Sequence, residues 1–90
     1  MRIHVVLTGP PRVVLGRSAV DVDLAGSTCT LADVLAVLVA VEPRLARYLS
    51  RADGVPPPAF RPLLHDRFLP HDTPIPDGAT VTLLYALAGG

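Results

Sequence analysis

The chain has 90 residues, half of them apolar and only Tyr48, Phe60, Phe68 and Tyr85 aromatic. This describes one domain whose modest core is built mainly from Leu, Val, Ile and Ala. Formal net charge is zero and the charges stand in ones and twos, which excludes the basic stripe of a nucleic-acid binder. The longest apolar run, Val34 to Val41, is eight residues. That is far short of a membrane span, and with no basic-then-apolar leader before Ile3 the expectation is a cytoplasmic protein without a membrane partner.

Met1 to Thr8 reads as a strand, with Ile3, Val5 and Leu7 on one face and His4 and Val6 on the other. Gly9-Pro10-Pro11 breaks it. A second strand is predicted within Val13 to Leu24, best in Ala19 to Leu24, where Val20, Val22 and Leu24 alternate with Asp21 and Asp23. The two runs suggest an antiparallel hairpin with a wide loop.

Ala25-Gly26-Ser27 ends that strand. Thr28 or Thr30 can cap a helix, and Asp33, three residues after Thr30, forms a near capping box. Leu31, Val34, Leu35 and Leu38 then step at three and four residues to about Val41, one apolar stripe that needs a sheet to cover it. Pro43 interrupts the helix but is accepted in a first turn, so Pro43 to Leu49 is predicted to be a short second helical piece.

Asp53 to Ala59 is a loop, because three successive prolines fit neither a helix interior nor a sheet interior. Phe60 to His65 is a third strand weakened by Pro62. Asp66-Arg67 turns the chain, and Arg67 to Leu69 is a short strand. His71 to Gly78 is punctuation ending in an Asp-Gly turn. The last strand starts at Ala79 and is apolar on both faces, as a central strand would be.

The order is β-β-α-(α)-β-(β)-β. If the first and last strands pair in parallel, the crossover includes the helix. The fold class expected is α+β, a β-grasp, with a mixed four- to five-stranded sheet packed on one main helix. Residues 1–90 form a single domain, with a mobile C-terminal tail at about 87–90.

Other chemistry finds little support. Cys29 is the only cysteine, so no intrachain disulfide is possible. Its place before a helix would favour a thiolate, but a small, partly buried structural residue is the better reading. His4, His65 and His71 are the only imidazoles, and no zinc-like spacing links them to the cysteine, so no metal site is expected. Gly9, Gly16 and Gly26 are isolated and make no phosphate loop. All eight basic residues are arginine, which rules out chains of this protein linked through its own lysine side chains.

The helix phrase TLADVLAVLVAVEPRLARYL, the phrase LPHDTPIPDGATVTLL and the closing LAGG resemble the MoaD/ThiS-like, ubiquitin-fold sulfur carrier proteins over essentially the whole chain. These include the small subunit of molybdopterin synthase and the thiamine-pathway sulfur carrier. The resemblance implies a carrier rather than an enzyme. An E1-like adenylyltransferase would convert the carboxylate of Gly90 to an acyl-adenylate. A sulfurtransferase or other persulfide donor would then leave a thiocarboxylate there, for delivery to a sulfur-accepting synthase subunit. No other cofactor and no catalytic residue is implied. Ala88 and Gly89 would thread the partner's active site, since they are too small to obstruct it.

By the same resemblance, partners would dock on an apolar patch on the sheet face opposite the helix, here expected at Val6, Leu84, Phe60 and Leu64. Length and the long helix favour the molybdopterin type. Tyr85-Ala86, however, stands where small subunits of molybdopterin synthase often carry two prolines. That departure keeps open a carrier for thiamine thiazole, cysteine or a sulfur-containing natural product. A ubiquitin-like protein modifier or binding module is the alternative of a different class.

Overall fold

A computed structural model describes residues 1–49, 60–70 and 72–85. The expected loop Asp53 to Ala59, His71 and the tail 86–90 lie outside the described residues. Strand β1 (Arg2–Leu7) leads into helix α1 (Pro10–Leu15), then strand β2 (Ala19–Asp23) and the two-residue strand β3 (Thr28–Cys29). Helix α2 (Leu31–Val41) is followed by a 3-10 turn (Pro43–Leu45) and helix α3 (Ala46–Leu49). Strands β4 (Phe60–Leu64), β5 (Arg67–Phe68), β6 (Ile75–Pro76) and β7 (Thr80–Tyr85) complete the order.

The main sheet runs β2-β1-β7-β4-β5, and β3 and β6 form a separate two-stranded ladder. The first and last strands are parallel neighbours at its centre, with Val5 opposite Val81 and Leu7 opposite Leu83. The other neighbours are antiparallel. This is the expected β-grasp, with five strands in the main sheet.

One face of the sheet is dry. Ile3, Val5 and Leu7 of β1, Val22 of β2, and Val81 and Leu83 of β7 are at most 2% exposed. They meet Leu31, Val34 and Leu38 of α2 and Leu45 and Leu49 of the following turns. Period-2 strands and a period-3.6 helix thus place their apolar residues on facing surfaces. Helix α2 starts as read: the Asp33 amide donates to Thr30 Oγ1 at 3.4 Å, and the Thr30 amide donates to Asp33 Oδ2 at 2.9 Å.

Three local readings change. Val13 to Leu15 belong to a helix, not to the second strand. Pro10 and Pro11 occupy its first turn, where a missing N–H costs nothing and φ is preset. Gly16 closes it in the left-handed conformation, φ 77°, donating to the Arg12 carbonyl. The β4–β5 turn falls on His65-Asp66, with His65 at φ 57°, one residue earlier than expected. The stretch expected to be only punctuation contributes β6, which pairs Ile75 with Cys29 and buries Ile75 completely.

Candidate functional site: the root of the C-terminal segment and the outward sheet face

Beyond the Leu7–Leu83 pairing, β1 leaves the sheet, because Gly9 turns the chain into α1. The side chain of Thr8 continues the ladder in place of the backbone. Its Oγ1 donates to the Leu83 carbonyl at 3.0 Å and accepts the Tyr85 amide at 2.7 Å. One hydroxyl has both functions, so both bonds form together. The Tyr85 ring lies over Gly9 so closely that a Cβ on that glycine would stand 2.6 Å from the tyrosine's Cβ and Cγ. Gly9 also holds φ 67°, a conformation that residues with a Cβ enter only with strain.

On its other flank Tyr85 is opposite Phe60 in the β4–β7 ladder, with ring centroids 5.2 Å apart and planes tilted by 59°. Tilted aromatic pairs at this separation attract beyond their buried area. Tyr85 is therefore held by the hydroxyl of Thr8 just past β1, a bare backbone at the start of α1 and a ring from β4. The Tyr85 carbonyl is the start of residues 86–90.

The sheet face turned away from α2 is read from the register, since residues directly opposite each other point the same way. Ala19, Val6, Thr82, Leu63 and Phe68 form one row across all five strands. Leu84, opposite Arg61, continues the apolar part toward Tyr85. Phe68 is 61% exposed and Leu84 42% exposed. The far end of the same face is charged. There Arg2 Nε donates to Asp23 Oδ1 at 3.0 Å, and His4 Nδ1 lies 2.7 Å from Asp21 Oδ1. The Arg2 guanidinium holds the Asp23 carboxyl below the usual carboxylate range. The apolar end of the face and the root of residues 86–90 are thus one continuous region.

Of the four residues expected in an outward patch, the structure places Val6 and Leu84 on this face. Phe60 and Leu64 are corrected. Opposite Tyr85 and Val81 respectively, they share the core face, and Phe60 is only 6% exposed. The β4 face was read one residue out of phase. The outward residues of that region are Arg61, Leu63 and Phe68. The signal that could have found them is Arg61, a charge that belongs on the wetter face and puts Leu63 there with it, and Phe60, Pro62 and Leu64 on the other. Ala88, Gly89 and Gly90 lie outside the described residues.

Cys29 pairs with Ile75 in the small ladder, is 6% exposed, and lines a shallow cleft with Leu24, Ala36 and Val37. Burial, then the nearby Asp33 carboxylate, push its thiol pKa up, which fits the small buried structural residue expected there and not a thiolate. Among the described residues no three His, Cys, Asp or Glu side chains converge as a metal site would require. Among them too, no helix is long and apolar enough to cross a membrane.

No protein-family model matches the sequence, and the curated proteins contain no significant match. Solved structures do match. The chain is similar to the crystal structure of SAMP1 from Haloferax volcanii at TM-score 0.83 and 24% identity, covering all of both chains. It is similar to the small archaeal modifier protein 1 of Methanosarcina acetivorans at TM-score 0.75 and 19% identity, covering 99% of this chain and 96% of that one. A third match is the complex of subunits 1 and 2 of molybdopterin-converting factor from Helicobacter pylori, at TM-score 0.62 and 20% identity over the full length of both chains. What the chain shares with these modifiers and with molybdopterin-converting factor is the β-grasp fold, the fold that the resemblance in the sequence implies.

Proposed function

We propose that this β-grasp chain is a ubiquitin-like sulfur carrier that acts through the carboxylate of Gly90 and has no catalytic residues of its own. The observation that supports this reading best is the construction of its last strand. Strand β7 is central, paired with β1 over Thr80–Leu83 and with β4 over Val81–Tyr85, and its final residue is locked on three sides beside an apolar surface. From that point residues 86–90 extend at most about 3.3–3.6 Å each, so the tip reaches an enclosed site only in a partner docked close by. The outward row Val6, Leu63, Phe68 and Leu84, with Arg61 at its edge, is the docking surface in this reading. Ala88 and Gly89 thread the partner's channel.

The chemistry follows from the poor electrophilicity of a carboxylate. In an E1-like adenylyltransferase, a Gly90 carboxylate oxygen attacks the α-phosphorus of ATP and displaces pyrophosphate. The resulting acyl-adenylate is attacked by the terminal sulfur of a persulfide donor, and AMP leaves. A thiol then cleaves the acyl disulfide, taking the donor's sulfur into a mixed disulfide and leaving the thiocarboxylate on Gly90. The most favoured acceptor is the large subunit of a molybdopterin-forming synthase in the cytoplasm, a reading supported by the likeness to the Helicobacter pylori complex of subunits 1 and 2. Tyr85-Ala86, in the place of a pair of prolines, leaves a carrier for another sulfur-containing product as the variant of this proposal.

A second reading is supported by the likeness to small archaeal modifiers. The same activated Gly90 would then form amides with amino groups of other proteins. Both readings require adenylation, so the first test is pyrophosphate release from ATP by an E1-like adenylyltransferase. Release should depend on the chain and vanish when Gly89 and Gly90 are removed. A trimmed chain as active as the full one contradicts both. Covalent adducts on larger proteins, with no thiocarboxylate formed, would favour the modifier.

A further inference from the structure

We infer that Thr8 is a positioning residue for the C-terminal segment: its hydroxyl, with the Tyr85 ring seated on Gly9 and against Phe60, fixes the point and direction from which residues 86–90 enter a partner's active site. The inference rests on the carrier reading above and adds to it a residue remote from Gly90 in sequence.

The geometry is specific to this chain's residues. Parallel pairing of β1 with β7 ends at Leu7–Leu83, and β4 reaches Tyr85 from the other side only through Phe60. Without the hydroxyl, the Tyr85 amide and the Leu83 carbonyl lose the partners they have on the β1 side. Leu84 and Tyr85 would then fray from β1. Each residue freed must be ordered again whenever the tip is inserted, and a longer tether lowers the local concentration of the carboxylate in the site. Leu84 also belongs to the proposed docking face, so the lock holds the docked surface and the root of residues 86–90 in a fixed relation. Reaction rates are sensitive to such placement at the ångström level.

The test compares the full chain with Thr8→Val, which keeps the shape and removes the hydroxyl, and Thr8→Ser, which keeps the hydroxyl. Each is assayed for adenylation by an E1-like adenylyltransferase with ATP, for amide hydrogen exchange at Tyr85, and for thermal unfolding. In Thr8→Val the Tyr85 amide should exchange at least about tenfold faster, since its bond is lost. Its kcat should fall about three- to tenfold, and by more than KM rises, because Val6, Leu63 and Phe68 of the docking row stay in place while insertion loses its fixed root. Thr8→Ser should restore both.

An unchanged kcat in Thr8→Val, or a Thr8→Ser variant as slow as Thr8→Val, overturns the inference while the carrier reading stands. A full chain that no such enzyme adenylates overturns the carrier reading, and the inference with it. If Thr8→Val does not fold, Tyr85→Ala replaces it, since it lifts the ring from Gly9 and Phe60. The same fall in kcat is then expected, and an unchanged kcat contradicts the proposal.

Discussion

At Gly9 the backbone holds φ 67°, and the space where a Cβ would stand is taken by Tyr85. Gly9→Ala must therefore strain the backbone and displace the ring together. Chemical denaturation should show a loss of about 1–3 kcal/mol, with the Phe60 and Tyr85 ring signals shifted by NMR. Asp23 gives a prediction of a different kind. Its carboxyl pKa is lowered in the fold, first by the hydrogen bond from Arg2 and then by that residue's charge. The stability it contributes is present above the ordinary carboxylate pKa and lost as pH falls through its lower folded value. The pair is exposed, so the effect is small. The denaturation midpoint of Asp23→Asn should lie slightly below that of the wild type at pH 7, and the two should converge near the acid limit. Single residues were unevenly legible in the sequence. The parity of β1 followed from Ile3, Val5 and Leu7, so Val6 could be assigned to the outward face. In β4 Phe60, Pro62 and Leu64 share the core parity while Arg61 and Leu63 share the outward one, and placing Phe60 and Leu64 outward overlooks the charge on Arg61.

Strongly periodic elements were the readable ones. Helix α2 has its apolar stripe and its cap written into the chain, and it starts and ends where the pattern says. Thr30 caps it through the Asp33 amide while Asp33 closes the box. Thr30→Ala should cost about 1 kcal/mol, read as a lower thermal midpoint with an unchanged fold by circular dichroism. Elements decided by tertiary packing were not readable. Helix α1 is six residues long, too short to persist alone. It exists because Pro10 and Pro11 preset its first turn and because Val14 and Leu15 pack against the core. Strand β6 is two residues and contains Pro76. Only its pairing with β3 and the complete burial of Ile75 define it, and neither is a local property of the sequence.

Across the whole molecule, one face of the sheet stabilises the fold and the other carries a surface whose apolar end lies beside Tyr85. The two can be separated by substitution. Leu84→Asp changes an outward residue that is 42% exposed, so unfolding free energy should move by no more than about 0.5–1 kcal/mol. A charge placed in the proposed docking row should weaken association with an adenylyltransferase or synthase subunit at least about tenfold, measured by titration calorimetry. If affinity is unchanged, the docking surface is elsewhere. The β-grasp topology was legible at this scale because few arrangements cover one amphipathic helix with a mixed sheet whose first and last strands are central. The proposed function was legible only through the closing glycines and the resemblance carried by the helix phrase and the phrase before the last strand, since neither the core nor the sheet requires a glycine pair.

The central claim is that this domain holds out the Gly90 carboxylate for loading and unloading by other proteins. Intact-mass spectrometry after incubation with an E1-like adenylyltransferase, ATP and a persulfide source tests it most directly. The account predicts a mass gain equal to one oxygen replaced by sulfur, confined by fragmentation to Gly90 and absent when Gly89 and Gly90 are removed. An unchanged mass under conditions that load a known carrier, or sulfur found at Cys29 instead, would contradict it.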